Sequence, residues 1–242
     1  MRVFDLVLYN QEADMLDVRI SHLEDVVDTF IVVEGRKTFM GNPKSCGLEQ
    51  RHLDNPKVDY RVFDYDGATG WPAEWAQRNY LFDIVEQYEP ADDDIVTVCD
   101  CDEIWNPRDI EALQFGWYAW VMKRTVMSVF WRLSDEHTAV GGPWGKRPGT
   151  AQKIRSNRYG LPVLRSGWHL SWMGGPEWAA QKMREFCHQE LMVADPESFM
   201  SENYTVGRSI RGEELVECDM DRGMPEWLQE GRAPQSWYRR RR

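Results

Sequence analysis

Apolar positions follow two periods over the first 115 residues, one suited to buried strands and the other to amphipathic helices. Residues 4–9 read as a short buried strand, and Leu16, Ile20, Leu23 and Val27 then recur at helical spacing. Asn10 stands where it could cap that helix. A strand over 29–33, a glycine- and proline-containing loop over 41–43 and a strand over 58–63 come next. The pattern then predicts a helix over 72–88 that buries Leu81, Val85 and Tyr88 and stops at Pro90. Residues 95–99 form an apolar strand, and Asn106-Pro107 reads as the cap and first turn of another helix.

Strand and helix alternate throughout this stretch, which predicts right-handed crossovers and an α/β fold with a mostly parallel central sheet and helices on both faces. After Gly116 the texture changes. Residues 117–123, 125–133 and 151–156 read as strands, with a loop rich in glycine and proline over 141–149, and residues 167–172 lead into a helix over 176–191. With no internal repeat or low-complexity linker, the sequence predicts one domain over 1–242. It divides into a half at 1–115 whose architecture suits a nucleotide, a less regular part at 116–200, to which the resemblance described below gives the catalytic and acceptor roles, and an extension at 201–242.

Composition narrows the possibilities. At 42% hydrophobic and 29% charged, the 242 residues can build a substantial core. The clean apolar runs, such as 30–33 and 95–99, fall far short of the roughly 20 residues of a membrane-spanning helix. Met1-Arg2-Val3-Phe4-Asp5 lacks the layout of an export signal, so a cytoplasmic location is expected. The five cysteines are scattered and read as reduced thiols, with no four-ligand zinc spacing. The formal net charge is −11, and residues 232–242 hold five arginines and no acid, so the remainder is more acidic still. A nucleic-acid partner is not expected for such a body, and the terminal run Arg239 to Arg242 reads as a solvated tail.

The sharpest chemical feature is Asp100-Cys101-Asp102-Glu103, directly after the strand at 95–99. On extended backbone, Asp100 and Asp102 share a face at the carboxyl edge of the sheet, where open α/β sheets bind ligands. Two carboxylates there suit Mg²⁺ or Mn²⁺ with substrate phosphates completing the shell; the plainer reading is a solvated acidic turn. Asp92-Asp93-Asp94, at the opposite edge, reads as a solvated turn. In Gly167 to Glu177, the glycine pair and Pro176 place Glu177 in the first turn of a helix, where its carboxylate is favoured ionised and could act as a base toward an acceptor hydroxyl. His169 could complete a metal site or serve as a core histidine. His188 lies about 16 Å from Glu177 along a straight helix, so the two cannot share a metal. Of twelve tryptophans, two or three are expected to line a site, with Trp144 the candidate for a mobile lid.

Four blocks in order, residues 4–44, EWAQRNYL at 74–81, IVTVCDCDEIWNP at 95–107 and GWHLSWMGGPEWAAQKM at 167–183, resemble glycosyltransferase family 17. The resemblance implies a GT-A-like nucleotide-binding fold, a nucleotide-sugar donor such as UDP-GlcNAc, inversion at the anomeric carbon and a glycan or glycoconjugate acceptor. It assigns Asp100 and Asp102 to metal and diphosphate, Glu34 to the nucleoside and Arg78 to the diphosphate. A polysaccharide, lipid-linked sugar or glycosylated macromolecule is the expected acceptor class. Two other functions compete: a sugar nucleotidyltransferase, against which Tyr9-Asn10-Gln11-Glu12 stands in place of a glycine-rich phosphate loop, and a carbohydrate-binding protein without turnover.

Overall fold

The computed structural model describes residues 1–240. It opens with β1 (Val3–Tyr9), α1 (Ala13–Leu23), β2 (Thr29–Gly35), α2 (Gln50–Leu53), β3 (Val58–Phe63), α3 (Trp71–Glu86) and β4 (Ile95–Asp100). Then come β5 (Glu103–Ile104), α4 (Ile110–Leu113), β6 (Tyr118–Val126), β7 (Trp131–Arg132), β8 (Glu136–Pro143), α5 (Ala151–Ser156), β9 (Val163–Leu164) and β10 (Trp168–Ser171). The chain closes with α6 (Pro176–Glu185), α7 (Pro196–Val206), β11 (Val216–Glu217) and α8 (Glu226–Gln229).

The strands form one sheet in the order β11-β7-β6-β8-β4-β1-β2-β3, with β9 and β10 also pairing with β6 and β5 pairing with β10. Strands β1 to β4 are mutually parallel where they pair, as the alternation implies. The sheet as a whole is mixed rather than mostly parallel, because β8 runs antiparallel to both β4 and β6 and β7 runs antiparallel to β6. The links joining β6, β7 and β8 are too short for the helical crossover that parallel pairing requires.

Period-two alternation sends side chains of the parallel strands into two cores. Val7, Phe30, Val32 and Cys99 pack on one face with α1 and the C-terminal residues Leu228 and Trp237. Leu6, Ile31, Val33 and Val98 pack on the other with α3 and α5, through Leu81, Val85 and Ile154. Helices therefore cover both faces. A third cluster joins α6 and α7 to the end of β6 through Met183, Met200, Tyr204 and Val126.

Several local expectations are corrected. Residues 151–156 are helical, with the Thr150 hydroxyl accepting from the Lys153 amide as a cap. Gly141 and Gly142 belong to β8; a Cβ on Gly142 would meet the Gly116 carbonyl at 2.7 Å, so a strand passes where a loop was expected. The strand over 125–133 is broken at Met127, whose φ of 65° turns the chain out of β6. The helix starting at Pro176 ends at Glu185, since Phe186 is extended. The cap position of α1 is Glu12, and the Asn10 amide donates instead to Glu185.

Trp144 is no lid: it is 5% exposed and meets Phe82 edge to face at 5.1 Å. Asp94 is not solvated either, because it is buried and accepts from the backbone and guanidinium of Arg2. In the C-terminal run, Arg240 lies over Phe130 at 3.9 Å and pairs with Glu217 at 3.5 Å; Arg241 and Arg242 lie outside the described residues. All five cysteines are free. Among the described residues no helix is long and apolar enough to cross a membrane.

Candidate active site

Parallel strands β1 and β4 end at a cavity of about 340 Å³, closed from the sides by the first turns of α3, by α5, by β8 and β10, and by the stretch from Lys182 to His188. Asp100 and Asp102 both line it, but the extended backbone expected to carry the two on one face ends at Asp100, and Asp102 reaches the cavity from the turn beyond. Their environments differ. Asp100 ends β4, and its Oδ1 accepts from Arg78 Nη2 at 2.9 Å while Oδ2 accepts from Arg155 Nη2 at 3.2 Å. Burial alone would raise its pKa, but the two guanidiniums overcome that and hold the carboxyl well below the usual range. Asp102 sits in the turn beyond the strand, with Oδ2 3.2 Å from Lys182 Nζ and Oδ1 3.6 Å from His169 Nε2.

The turn bearing both aspartates is pinned from below. Glu103 Oε2 accepts from the Asp100 amide at 2.8 Å, and its Oε1 is held by Arg155. The Asp102 carbonyl accepts from the Leu170 amide at 2.8 Å, which ties the turn to β10. Arg78 reaches Gln152 at 2.6 Å and Glu74 at 2.8 Å, so α3 and α5 are joined across the Asp100 carboxylate. The Nε of Arg78 and Nη1 of Arg155 are buried with no hydrogen-bond partner, leaving donor capacity beside Asp100.

A second relay runs through Lys182. Its ammonium donates to Glu12 Oε1 at 2.7 Å as well as to Asp102, and these two acids raise its pKa against the effect of burial. Burial raises the pKa of Glu12, with Lys182 working against that. His169 faces carboxylates with both nitrogens, Asp102 through Nε2 and Glu136 through Nδ1 at 3.2 Å. Burial lowers its pKa, but the surrounding acids win and raise it. Glu136 is in turn held down to about 2: burial pushes up, and His169 and Arg124 push down further.

Two expected site residues do not join this group. Glu34 is fully buried, and its carboxylate is taken by Lys44, Tyr60 and the Gly47 amide at 3.0 Å, so it fastens the loop after β2 to β3 instead of facing the cavity. Glu177 stands exposed on the first turn of α6 and is not among the lining residues. His188 does reach the cavity because α6 stops early, and its ring meets Trp71 at 4.4 Å. Trp71 and Trp172 are the tryptophans that line the cavity.

Sequence reading missed Glu12, Arg124, Glu136, Arg155, Arg158 and Lys182, all of which line the cavity. Glu12 was findable, since it follows an apolar strand just as Asp100 does. Arg155 was hidden by the strand assignment at 151–156. The carboxylates at Asp100 and Asp102 suit a hard divalent cation, but among the described residues no three of His, Cys, Asp and Glu come together as a ready metal cage. Asp100 and Asp102 could hold such an ion only with its remaining ligands drawn from substrate oxygens and water, and with the arginines on Asp100 giving way.

Comparison with known proteins gives two levels of kinship. The chain is 26% identical over 220 residues to the human and rat β-1,4-mannosyl-glycoprotein 4-β-N-acetylglucosaminyltransferases, covering 73% of this chain and 41% of each relative. It therefore spans about two fifths of the length of these relatives. Among solved structures, the inositol-1-phosphate CTP transferase of T. maritima aligns with a TM-score of 0.35 and 10% identity over 72% of this chain and 86% of that one, too slight a likeness to bear on the fold. The family profile described as Glycosyltransferase family 17 matches residues 1–216, which take in every cavity-lining residue named above. On that match the chain belongs to glycosyltransferase family 17.

Proposed function

We propose that this chain is an inverting glycosyltransferase that moves a sugar, N-acetylglucosamine by analogy with its relatives, from a UDP-sugar to a hydroxyl of a glycan or glycoconjugate. One observation carries the reading: in a family 17 chain, Asp100 is held between Arg78 and Arg155 at the carboxyl edge of parallel strands, inside a cavity. Two guanidiniums beside that carboxylate support a diphosphate there, because guanidiniums bind phosphate oxygens in pairs. The GT-A-like assignment rests on the same placement, with β1 to β4 as the nucleotide-binding strands.

Asp100 and Asp102 are the residues to hold Mn²⁺ or Mg²⁺, and an ion bound there would neutralise charge on the departing diphosphate. Arg78 and Arg155 donate to the same phosphates from the protein side. His169, with a carboxylate at each nitrogen, positions Asp102. For the base the geometry favours Glu12 over Glu177: a base must reach the acceptor hydroxyl, and Glu12 lines the cavity whereas Glu177 does not. Lys182 occupies Glu12 Oε1, and Oε2 has no hydrogen-bond partner among the described residues.

Calorimetry with UDP, with and without Mn²⁺, tests the donor half of this reading. Mass detection of donor hydrolysis across a panel of sugar nucleotides then identifies the sugar without any guess about the acceptor. A protein that binds oligosaccharides and ignores UDP in both conditions is a lectin, and the reading fails.

A further inference from the structure

On the antiparallel half of the sheet, one wall of the cavity carries a guanidinium, that of Arg158, with no ion-pair contact among the described residues. Arg158, half-buried in the turn after α5, makes three hydrogen bonds, and all of them go to neutral oxygens. Its Nε donates to the His137 carbonyl at 3.2 Å, Nη1 to the Arg155 carbonyl at 3.1 Å and Nη2 to the Tyr159 hydroxyl at 3.2 Å. No carboxylate among the described residues lies within ion-pair distance of it. Glu136 on this wall feels the charge of Arg158, but its carboxylate is taken by Arg124 at 3.3 Å and His169 at 3.2 Å.

Beside Arg158, two further polar groups are buried and unsatisfied. Thr138 is 2% exposed with no partner for its hydroxyl, and Arg124 Nε lies near Glu136 without hydrogen-bond alignment. Both residues line the cavity. A buried polar group left unpaired costs about 1–3 kcal/mol, so a cluster of them facing a cavity marks the place of a ligand that supplies the missing partners. Arg158, Arg124 and Thr138 are all able to donate, so the complementary group is rich in acceptors and negatively charged. Tyr159, 67% exposed and outside the cavity lining, holds the Arg158 guanidinium over its ring at 4.7 Å, which orients the charge without supplying a counterion.

We propose that this wall is the acceptor subsite and that the acceptor saccharide carries an anionic group, a uronate carboxylate or a phosphate, seated against Arg158. The name acceptor rests on the glycosyl-transfer reading above. The subsite adjoins the diphosphate position without coinciding with it, because Arg158 touches Arg155 only at its carbonyl, while the side chain of Arg155 turns to Asp100.

Ligand-observed NMR on the full chain, saturated with UDP and Mn²⁺, tests this with methyl glucuronide, mannose 6-phosphate and neutral methyl glucoside. At least one acidic sugar is expected to bind about tenfold or more tighter than the neutral one, as a charge-assisted contact provides, and the preferred one identifies the anion. Arg158→Met removes that preference while UDP affinity is kept; Arg158→Lys, which keeps the charge, retains part of it. Equal binding of acidic and neutral sugars, no binding of any of them, or loss of UDP affinity in Arg158→Met overturns the proposal. If the wild-type chain ignores UDP, glycosyl transfer fails on that measurement alone, and the preference for acidic sugars stands or falls separately on the same three probes.

Discussion

Arg19 couples the buried carboxylate of Asp5 to the turn that carries the site. Its Nε and Nη2 hold the two Asp5 oxygens at 2.5 and 2.7 Å, and its Nη1 donates to the Glu103 carbonyl at 2.7 Å. Both side chains are fully buried, and Thr97 and the Trp105 indole add donors to Asp5 at 2.6 and 2.9 Å. A pair buried this deeply costs desolvation that its own attraction roughly offsets, so its chief product is a fixed geometry for residues 100–103.

Breaking the pair from one side should therefore be worse than removing both charges. Arg19→Met leaves Asp5 charged and buried, and is expected to destabilise the fold by about 3–5 kcal/mol. Asp5→Leu combined with Arg19→Met should cost less than the two single changes together. Urea unfolding of the four proteins measures this, and strictly additive losses would show that the two residues are not coupled.

Asp100→Ala and Asp102→Ala separate two roles that the geometry allows. As ligands of a divalent ion, both are needed for Mn²⁺-dependent UDP binding, and transfer should fall by a hundredfold or so or more, the equivalent of several kcal/mol of leaving-group stabilisation. As a mere counterion to Arg78 and Arg155, Asp100 would be inhibitory, and its removal would tighten UDP binding and make it indifferent to EDTA. Calorimetry of Asp100→Ala with EDTA and with Mn²⁺ tells these apart, and we expect the first outcome.

The parallel strands and the strand-edge aspartates were legible because both follow from local rules: an apolar run ends, a polar pair begins, and the crossover helices dictate parallel pairing. What was not legible depends on partners far apart in the chain. Glu34 was read at a strand end facing a nucleoside, yet Lys44 and Tyr60 close around it, and no local pattern announces that contact. Arg155 sits in Ala-Gln-Lys-Ile-Arg-Ser, six residues with too little length to separate helix from strand by period, and only the Thr150 cap hints at the outcome. The helix at Pro176 was extended too far because Phe186 to Leu191 keep helix-compatible composition, whereas packing of Phe186 on Trp172 at 5.6 Å pulls the chain away.

Glu12→Gln should abolish transfer while leaving UDP binding within about twofold, because the amide keeps the shape of the side chain but cannot accept a proton. Glu177→Gln, on an exposed turn outside the cavity, should keep transfer near wild type. Single-turnover assays of both variants with the identified donor decide between the two carboxylates. The reverse pattern, with Glu177→Gln inactive and Glu12→Gln active, would return the base to Glu177 and require α6 to move on substrate binding.

A last expectation concerns acid stability, away from the site. Asp94 is buried between the strand edges, where it accepts from the Arg2 amide at 2.5 Å, the Arg2 Nη2 at 2.8 Å and the Ala91 amide at 3.0 Å. Burial works to raise its pKa, but these hydrogen bonds outweigh it and leave the carboxyl below its usual value. A carboxyl depressed in the folded state contributes its stability in full above the unfolded pKa of about 3.9, and that contribution drains away as pH falls through the lower folded value. Asp94→Asn should thus cost about 1–3 kcal/mol at neutral pH, the usual penalty for losing a charge-assisted bond and stranding its donors. The gap from wild type should narrow steadily below about pH 4. Urea unfolding midpoints for both proteins between pH 3 and pH 7 provide the check, and a gap that stays constant across that range would mean that Asp94 ionisation is not coupled to folding.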